Sequence, residues 1–289
     1  MKVALHGKSF SPDTLPFITE LLQHLSRQQA RLFASPPLQA LLQDTPGPLP
    51  ALQPLPQDLT PMNCMVSLGG DGTLLEAVKY VGAAEVPVLG INTGRMGFLA
   101  TVAPEDALGA LARMEQGGYN PDPRTLLQVT APTTTALVPN FALNEVAVLK
   151  QDSAAMITIH VCIDGELRTT YWADGLIVAT PTGSTGYSLS GGGPIMLPSA
   201  HSLVITPVSP HNLSVRPLVV PDSAVISLQV ASRNQKFLAT LDGRASPIGT
   251  DVELIVSKAP FQAQLVNLGT HNIFDVLRQK LHWGLDVRN

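Results

Sequence analysis

The chain has 289 residues, 45% of them hydrophobic, with 22 acidic and 18 basic side chains and a formal net charge of −4. That length allows two domains with a sizeable core. The acidic balance excludes a broad nucleic-acid-binding face. Two cysteines in apolar, strand-like runs exclude a disulfide framework or a zinc spacing, and no apolar run approaches membrane-spanning length.

Residues 1–7 lack the long apolar segment of a secretion signal, so the expected location is the cytoplasm. Residues 2–5 read as a strand. Leu15, Ile18, Leu21, Leu22 and Leu25 then fall on one helical face. Residues 44–61, rich in proline and leucine, predict a long, extended and exposed loop. Residues 63–68 and 86–91 are apolar strands, with a helix between them that opens at Leu74. Residues 104–114 form a further helix. This β-α-β-α order predicts a parallel sheet covered by helices.

The pattern changes near Gly117-Gly118. From Leu126 onward short strands alternate with turn signals, including Asp164-Gly165 and Asp242-Gly243 as hairpin turns. The expectation is an all-β second domain, a sandwich or paired sheets. Residues 271–280 return to helical spacing, with Ile273, Phe274, Val276, Leu277 and Leu281 as the apolar set. So short a helix needs a partner surface, and the first domain is the expected one. The expected division is 1–118, 119–270 and a terminal helix within 271–289.

Residues 69–73, Gly-Gly-Asp-Gly-Thr, stand between a strand and a helix start. Glycines let a backbone approach a phosphate closely, and a helix N-terminus offers free N–H groups to an anion. A carboxylate among such groups, Asp71, needs a reason. A general base that accepts the proton of an attacking hydroxyl is one; a helix cap is the plainer one. Residues 173–195 run from a strand into a stretch dense in hydroxyls and glycines, suited to many hydrogen bonds with a polar ligand, with Tyr187 available to pack on a ring. Asn144-Glu145 places an amide beside a carboxylate at a strand start, the donor and acceptor set for two ribose hydroxyls, or else ordinary polar residues at a strand edge. Residues 90–99 leave a strand end, where α/β sheets bind ligands, and Phe98 there either walls an adenine or fills the core. Gly7-Lys8-Ser9 lacks the upstream glycine of a P-loop, and Leu75 breaks a dinucleotide fingerprint counted from Gly70 and Gly72.

Together these segments resemble the NAD kinase family. The match rests on residues 69–73, Gly90-Ile91-Asn92 with Gly97-Phe98-Leu99, Asn144-Glu145, Asp174-Gly175-Leu176, residues 180–190, and Pro210-His211-Asn212-Leu213 before Arg216-Pro217-Leu218. The resemblance implies a Rossmann-like α/β domain, a β-sandwich-like domain and an active site in the cleft between them. It implies transfer of a phosphoryl from ATP or polyphosphate to the adenosine-ribose 2′-hydroxyl of NAD+. Asp71 is then the base and Gly72 a backbone contact to the dinucleotide phosphates. Asn144 and Glu145 hold the ribose, Phe98 borders the adenine, and Asp174 and Ser190 engage the nicotinamide end. Thr185, Gly186 and Tyr187 line the nucleotide, with Ser188, Leu189 and Arg244 in the same binding set. A divalent metal, Mg2+, is implied on the donor phosphates without a protein ligand set, and the assembly implied is a homodimer or homotetramer. Gly186 stands where alanine is usual, Ala155 where many members are basic, and Arg244 where glutamine is common. A lipid or sugar kinase shares the first motif but leaves 180–190 unexplained. A dinucleotide sensor without chemistry leaves Asp71 unexplained.

Overall fold

A computed structural model describes residues 1–43, 45, 47–94, 97–131, 136–151, 155–269 and 273–282. Parts of four sequence expectations lie outside them: residues 44 and 46 of the proline-rich loop, Arg95 and Met96 of the 90–99 segment, residues 271–272 at the start of the last helix, and 283–289 beyond it. The chain divides into two compact units, residues 1–123 with 263–289, and residues 124–262.

The first unit is built on five parallel strands: β1 (Lys2–His6), β2 (Arg31–Ala34), β3 (Gln53–Pro54), β4 (Cys64–Leu68) and β5 (Val88–Ile91). Their order is β5-β4-β1-β2-β3, and Leu265 of the returning chain pairs beside Val88. The central strands are buried along their whole length, as parallel strands covered on both faces must be. Four helices join them: α1 (Leu15–Arg27), α2 (Pro36–Gln43), α3 (Asp71–Val81) and α4 (Ala107–Glu115). In α1 the predicted stripe turns Ile18, Leu21, Leu22 and Leu25 into the core beside Val3, Leu5 and Val66.

Two features differ from expectation. β2 and α2 were not visible, because four residues and eight residues are too short to carry a period. The proline-rich segment is also not simply exposed: Leu59 is buried, and Leu49 and Leu52 pack on the core. Prolines prevent a helix there and limit the ladder to the two residues of β3, without preventing leucines from turning inward.

The second unit is antiparallel. Strands β6 (Asn120–Thr130) and β7 (Phe141–Ala142) pair with each other. They precede β8 (Glu145–Leu149), β9 (Ile157–Ile163), β10 (Leu167–Ala173), β11 (Gly175–Ala179), β12 (Ser202–Val208) and β13 (Leu218–Pro221). The chain continues through β14 (Ile226–Ala231), β15 (Lys236–Leu241), β16 (Arg244–Gly249) and β17 (Leu254–Asn267), whose end belongs to the first unit. One sheet has the order β13-β12-β11-β8-β15-β16; the other antiparallel group runs β10-β9-β14-β17. Alternate residues of both sets, Val146, Val148, Leu176 and Val178 with Ile159, Val161, Ile226 and Leu228, form one core. Both predicted hairpin turns form, with Asp164, Gly165, Asp242 and Gly243 all at positive φ.

The short α5 (Tyr187–Ser190) follows a 3-10 turn at Thr182–Thr185. The last helix, α6 (Ile273–Leu281), counts with the first unit. It buries Val276 and Leu277 and leaves Phe274 55% exposed. Among the described residues no helix is long and apolar enough to cross a membrane.

Candidate functional site

In the first unit the candidate site begins where β4 ends. Gly69 sits at φ +153°, and a Cβ there would run into the Thr73 side chain. That glycine is required by the turn alone. Gly70 and Gly72 are different, because no atom lies within 4 Å of where a Cβ would stand on either. Thr73 and Leu74 both donate their N–H to the Gly70 carbonyl, at 3.0 and 3.1 Å. The N–H groups of Asp71 and Gly72 belong to the first turn of α3, where amides have no partner inside the helix. Open space over exposed amides at a helix start is a place for an anion.

Asp71 is the first residue of α3, and its side chain does not cap its own helix. Its Oδ2 accepts the N–H of Phe98 at 2.7 Å. Its Oδ1 accepts those of Leu99 and Ala100, both at 3.0 Å. A Cβ on Gly97 would collide with the same carboxylate. The loop after β5 is thus folded against Asp71. Asn92 clasps it from the other side, donating Nδ2 to the Ala100 carbonyl and accepting the Gly94 N–H. Phe98 is placed beside Asp71 by its backbone and is half-buried.

The helix that carries Asp71 is fixed farther along. Glu76 binds Lys8 Nζ at 2.6 Å and His6 Nε2 at 3.2 Å, and His6 Nδ1 meets Ser35 Oγ at 2.8 Å. His6 is fully buried, and burial holds its imidazole below the usual histidine value against the pull of Glu76. We therefore read the His6–Glu76 contact as a hydrogen bond of a neutral ring rather than as an ion pair.

In the second unit the structure brings Asn144, Glu145 and the 180–190 segment together. Glu145 opens β8 opposite Ala179, and Thr180 returns its hydroxyl to the Leu143 carbonyl at 2.6 Å. Gly183 lies so close to the Asn144 backbone that no side chain fits between them. A Cβ on Gly186 would stand 3.1 Å from Glu145 Oε2 and 3.2 Å from the Gly183 carbonyl. Asn144 Oδ1 and Glu145 Oε2 are buried without a hydrogen-bond partner. Such atoms are costly unless something supplies the missing donors. Burial, and then the charge of Asp242, push the Glu145 carboxyl up to about 7, while the Tyr187 backbone N–H works the other way.

Several residues of the binding set are spent internally. Ser188 Oγ is buried against Thr206 Oγ1 at 2.8 Å, and Thr185 Oγ1 donates to the Thr182 carbonyl at 3.3 Å. Ser184 bonds the Pro181 carbonyl and the Met196 N–H. The hydroxyls expected to face a ligand therefore mostly hold their own loop, because a buried turn must satisfy its own carbonyls first. Ser190 is exposed, Leu189 is half-buried, and Tyr187 is 38% exposed.

Arg244 also departs from expectation. Nε donates to the Leu241 carbonyl and Nη1 to the Pro139 carbonyl, at 3.0 and 2.9 Å, and Nη2 donates to the Phe141 carbonyl. Its guanidinium is committed to the fold. Asp174 pairs with Lys150 at 2.6 Å and precedes β11, a strand's length from Glu145, which faces the far end of that strand. Within one chain it is not brought to the Asn144–Glu145 pair.

Sequence reasoning missed Asp242, whose carboxylate holds the backbone of Leu143, Asn144 and Glu145. Its only linear signal was the turn, since its partners lie almost a hundred residues away.

Known proteins resemble the chain along most of its length. Residues 55–119 match the family model of the ATP-NAD kinase N-terminal domain, and residues 143–268 that of the ATP-NAD kinase C-terminal domain. An NAD kinase of Cytophaga hutchinsonii is 44% identical over the whole of both chains. One of Porphyromonas gingivalis strain W83 is 38% identical over 99% of each. The crystal structure of yeast NADH kinase complexed with NADH superposes with a TM-score of 0.87 at 27% identity, covering 100% of this chain and 89% of that one. An NAD kinase from Archaeoglobus fulgidus in complex with ATP gives 0.73 at 26% identity, covering 98% and 99%.

Proposed function

The chain belongs to the NAD kinase family, and on that premise we propose how its residues divide the work. The reaction moves a terminal phosphoryl onto the adenosine-ribose 2′-hydroxyl of NAD+, giving NADP+. Asp71 accepts the proton of that hydroxyl as its oxygen attacks phosphorus. Its Oδ2 accepts one amide and so retains a lone pair for this purpose. Gly70 and Gly72 leave room for phosphates over the amides of the α3 start. Asn144 and Glu145 take the ribose hydroxyls, Phe98 borders the adenine, and Tyr187 lies along the nucleotide.

The observation that carries this reading is the pair of buried oxygens, Asn144 Oδ1 and Glu145 Oε2, that no group of the protein satisfies. Ribose hydroxyls supply two donors to two such acceptors. A lipid or sugar kinase gives these atoms no purpose, and a sensor gives none to Asp71.

Among the described residues no cluster of three or more His, Cys, Asp or Glu side chains could hold a metal ion. A divalent cation, Mg2+, would therefore arrive on the phosphates of the donor rather than on a protein ligand set. Bound there it offsets the charge of the transferring phosphoryl. The expected assembly is a homodimer or homotetramer. Leu213 at 88% exposure and the sheet-edge residue Val219 at 49% are apolar surface that a second copy would cover. The expected compartment is the cytoplasm, in keeping with Cys64, a free thiol that burial pushes up to about 12.

The test is a coupled assay of NADP+ formation from NAD+ and Mg2+ with ATP or polyphosphate as donor. NADP+ with at least one donor is the expected result; none with either overturns the reading. Light scattering at micromolar concentration should give a mass well above one chain. A monodisperse, fully active monomer would remove the assembly from the proposal.

A further inference from the structure

Asp242 is a half-buried residue whose inward-turned carboxyl is pushed up by burial and held down by three backbone N–H groups and then Arg244, and the roles above give it no task. It occupies the first position of the two-residue turn between β15 and β16, at φ +48°. Asparagine or glycine would make that turn without placing a carboxylate in the interior. Burying a charge costs several kcal/mol unless it is well bonded, so this one needs a reason beyond the turn.

Its bonds supply one. Oδ1 accepts the N–H of Asn144 at 2.7 Å and of Glu145 at 3.2 Å, and Oδ2 accepts that of Leu143 at 2.8 Å. The Asp242 N–H donates to the Glu145 carbonyl at 3.1 Å. From the same hairpin Arg244 donates to the carbonyls of Pro139 and Phe141. One hairpin therefore grips residues 139–145 with both polarities, an anion on three N–H groups and a cation on two carbonyls. The gripped segment ends in the two residues whose side-chain oxygens are unsatisfied.

We propose that Asp242 is a positioning residue of the dinucleotide site: it fixes the backbone from which Asn144 and Glu145 project, and it adds to burial in holding on Glu145 a proton that ribose binding expels. This rests on the assignment of Glu145 to the ribose. The groups facing the Glu145 carboxyl are Asp242 and, behind it, Arg244 from the hairpin, the Asn144 amide beside it, and the Tyr187 N–H from α5. Arg124 lies on the Thr182 hydroxyl of the neighbouring 3-10 turn. With this surround the free carboxyl titrates near 7, raised first by burial and then by Asp242. A ribose hydroxyl donating to Oε2 favours the carboxylate. Binding therefore lowers the pKa, and the proton passes to the buffer. NAD+ affinity should rise with pH to about 7 and then level, because above that the free protein is already ionised.

The experiment is calorimetry of NAD+ binding to the full chain, in buffers of different ionisation enthalpy, from pH 6 to 8.5. The wild type should release about half a proton at pH 7 and little at pH 8.5. Glu145→Gln should release none. Asp242→Asn removes the like charge and should move the midpoint down. Arg244→Gln withdraws the cation that helps keep Asp242 ionised and should also displace the midpoint, so the proposal stays testable if Asp242→Asn does not fold. Wild-type release equal to that of Glu145→Gln overturns the proposal. So does an unmoved midpoint in whichever hairpin variant folds, since a merely structural clamp would change affinity alone. If instead Glu145→Ala binds NAD+ as the wild type does, the ribose assignment itself is what fails.

Discussion

Asp71 and Asp242 solve the same local problem in the two units. Each is a carboxylate at a turn into regular structure, and each accepts three consecutive backbone N–H groups, those of Phe98 to Ala100 in one case and Leu143 to Glu145 in the other. What surrounds them differs. Both residues are half-buried, but Asp71 lies beside open space at Gly70 and Gly72, whereas the Asp242 carboxyl is turned inward, where burial pushes its pKa up. The first can meet a substrate; the second can act only through the residues it holds. The same hydrogen-bond pattern therefore marks a reacting group in one unit and a positioning group in the other, and access is what separates them.

The widest break in that comparison should come from Asp71→Asn. The amide oxygen can still accept the Leu99 and Ala100 N–H groups while the NH2 replaces the acceptor of Phe98, so one loop bond is lost and the fold should survive. Loss of the base should lower kcat by about 10²–10⁴. Steady-state kinetics giving near wild-type turnover would reduce Asp71 to the kind of anchor Asp242 is. Next in size is Gly97→Ala. A Cβ there displaces the Asp71 carboxylate, and a displacement of about 1 Å costs on the order of 10²-fold in rate. Wild-type kcat in a folded Gly97→Ala protein would show that the placement of this carboxylate does not matter.

Glu145 sharpens the other side. Glu145→Ala should weaken NAD+ binding by about 1–3 kcal/mol, with unchanged affinity by calorimetry counting against its role. Glu145→Gln should have a second signature in stability. The folded carboxyl titrates near 7 against an ordinary 4.5. The folded state therefore holds a proton that the unfolded chain has lost, and wild-type stability falls as pH rises from about 4.5 to 7. The glutamine variant lacks that loss. It should be more stable than wild type at pH 8 by on the order of 1–3 kcal/mol, and no more stable at pH 4. Equal melting temperatures at pH 8 would contradict the buried, unsatisfied state of this group. The smallest effect belongs to Gly70→Ala. Nothing crowds that Cβ, so stability should stay within about 0.5 kcal/mol of wild type. KM for the phosphoryl donor should rise, because the methyl enters the space assigned to phosphates. An unchanged KM would move the donor elsewhere.

The sequence was readable where chemistry and local structure share one short segment. Residues 69–73 announced a turn, a helix start and a carboxylate at once, and Asn144-Glu145 announced a donor and acceptor at a strand start. Alternation and the two Asp-Gly turns announced the antiparallel unit. What stayed hidden depends on distance along the chain. Nothing in residues 180–190 shows that Ser188 is consumed by Thr206, eighteen residues on. Nothing near Arg244 shows that it serves carbonyls at positions 139 and 141. Nothing in the sequence of residues 90–99 distinguishes Gly97 from the other loop glycines, because the Asp71 carboxylate reaches it only through the fold. Short elements such as Arg31–Ala34 were lost for a different reason, since one turn of pattern does not establish a period.

The return of the chain to the first unit has a consequence for biosynthesis. The parallel sheet lacks the pairing at Val88 until Leu265 has been made. A ribosome that has finished residue 123 therefore displays a sheet whose last border is covered at Ile91 by Val102 but open at Val88 while more than a hundred further residues are translated. Such a border is a template for the wrong neighbour. Nascent chains stalled anywhere between 124 and 262 should need a holding chaperone. Release of the finished chain, which frees Leu265 to reach Val88, should end that need in a single step.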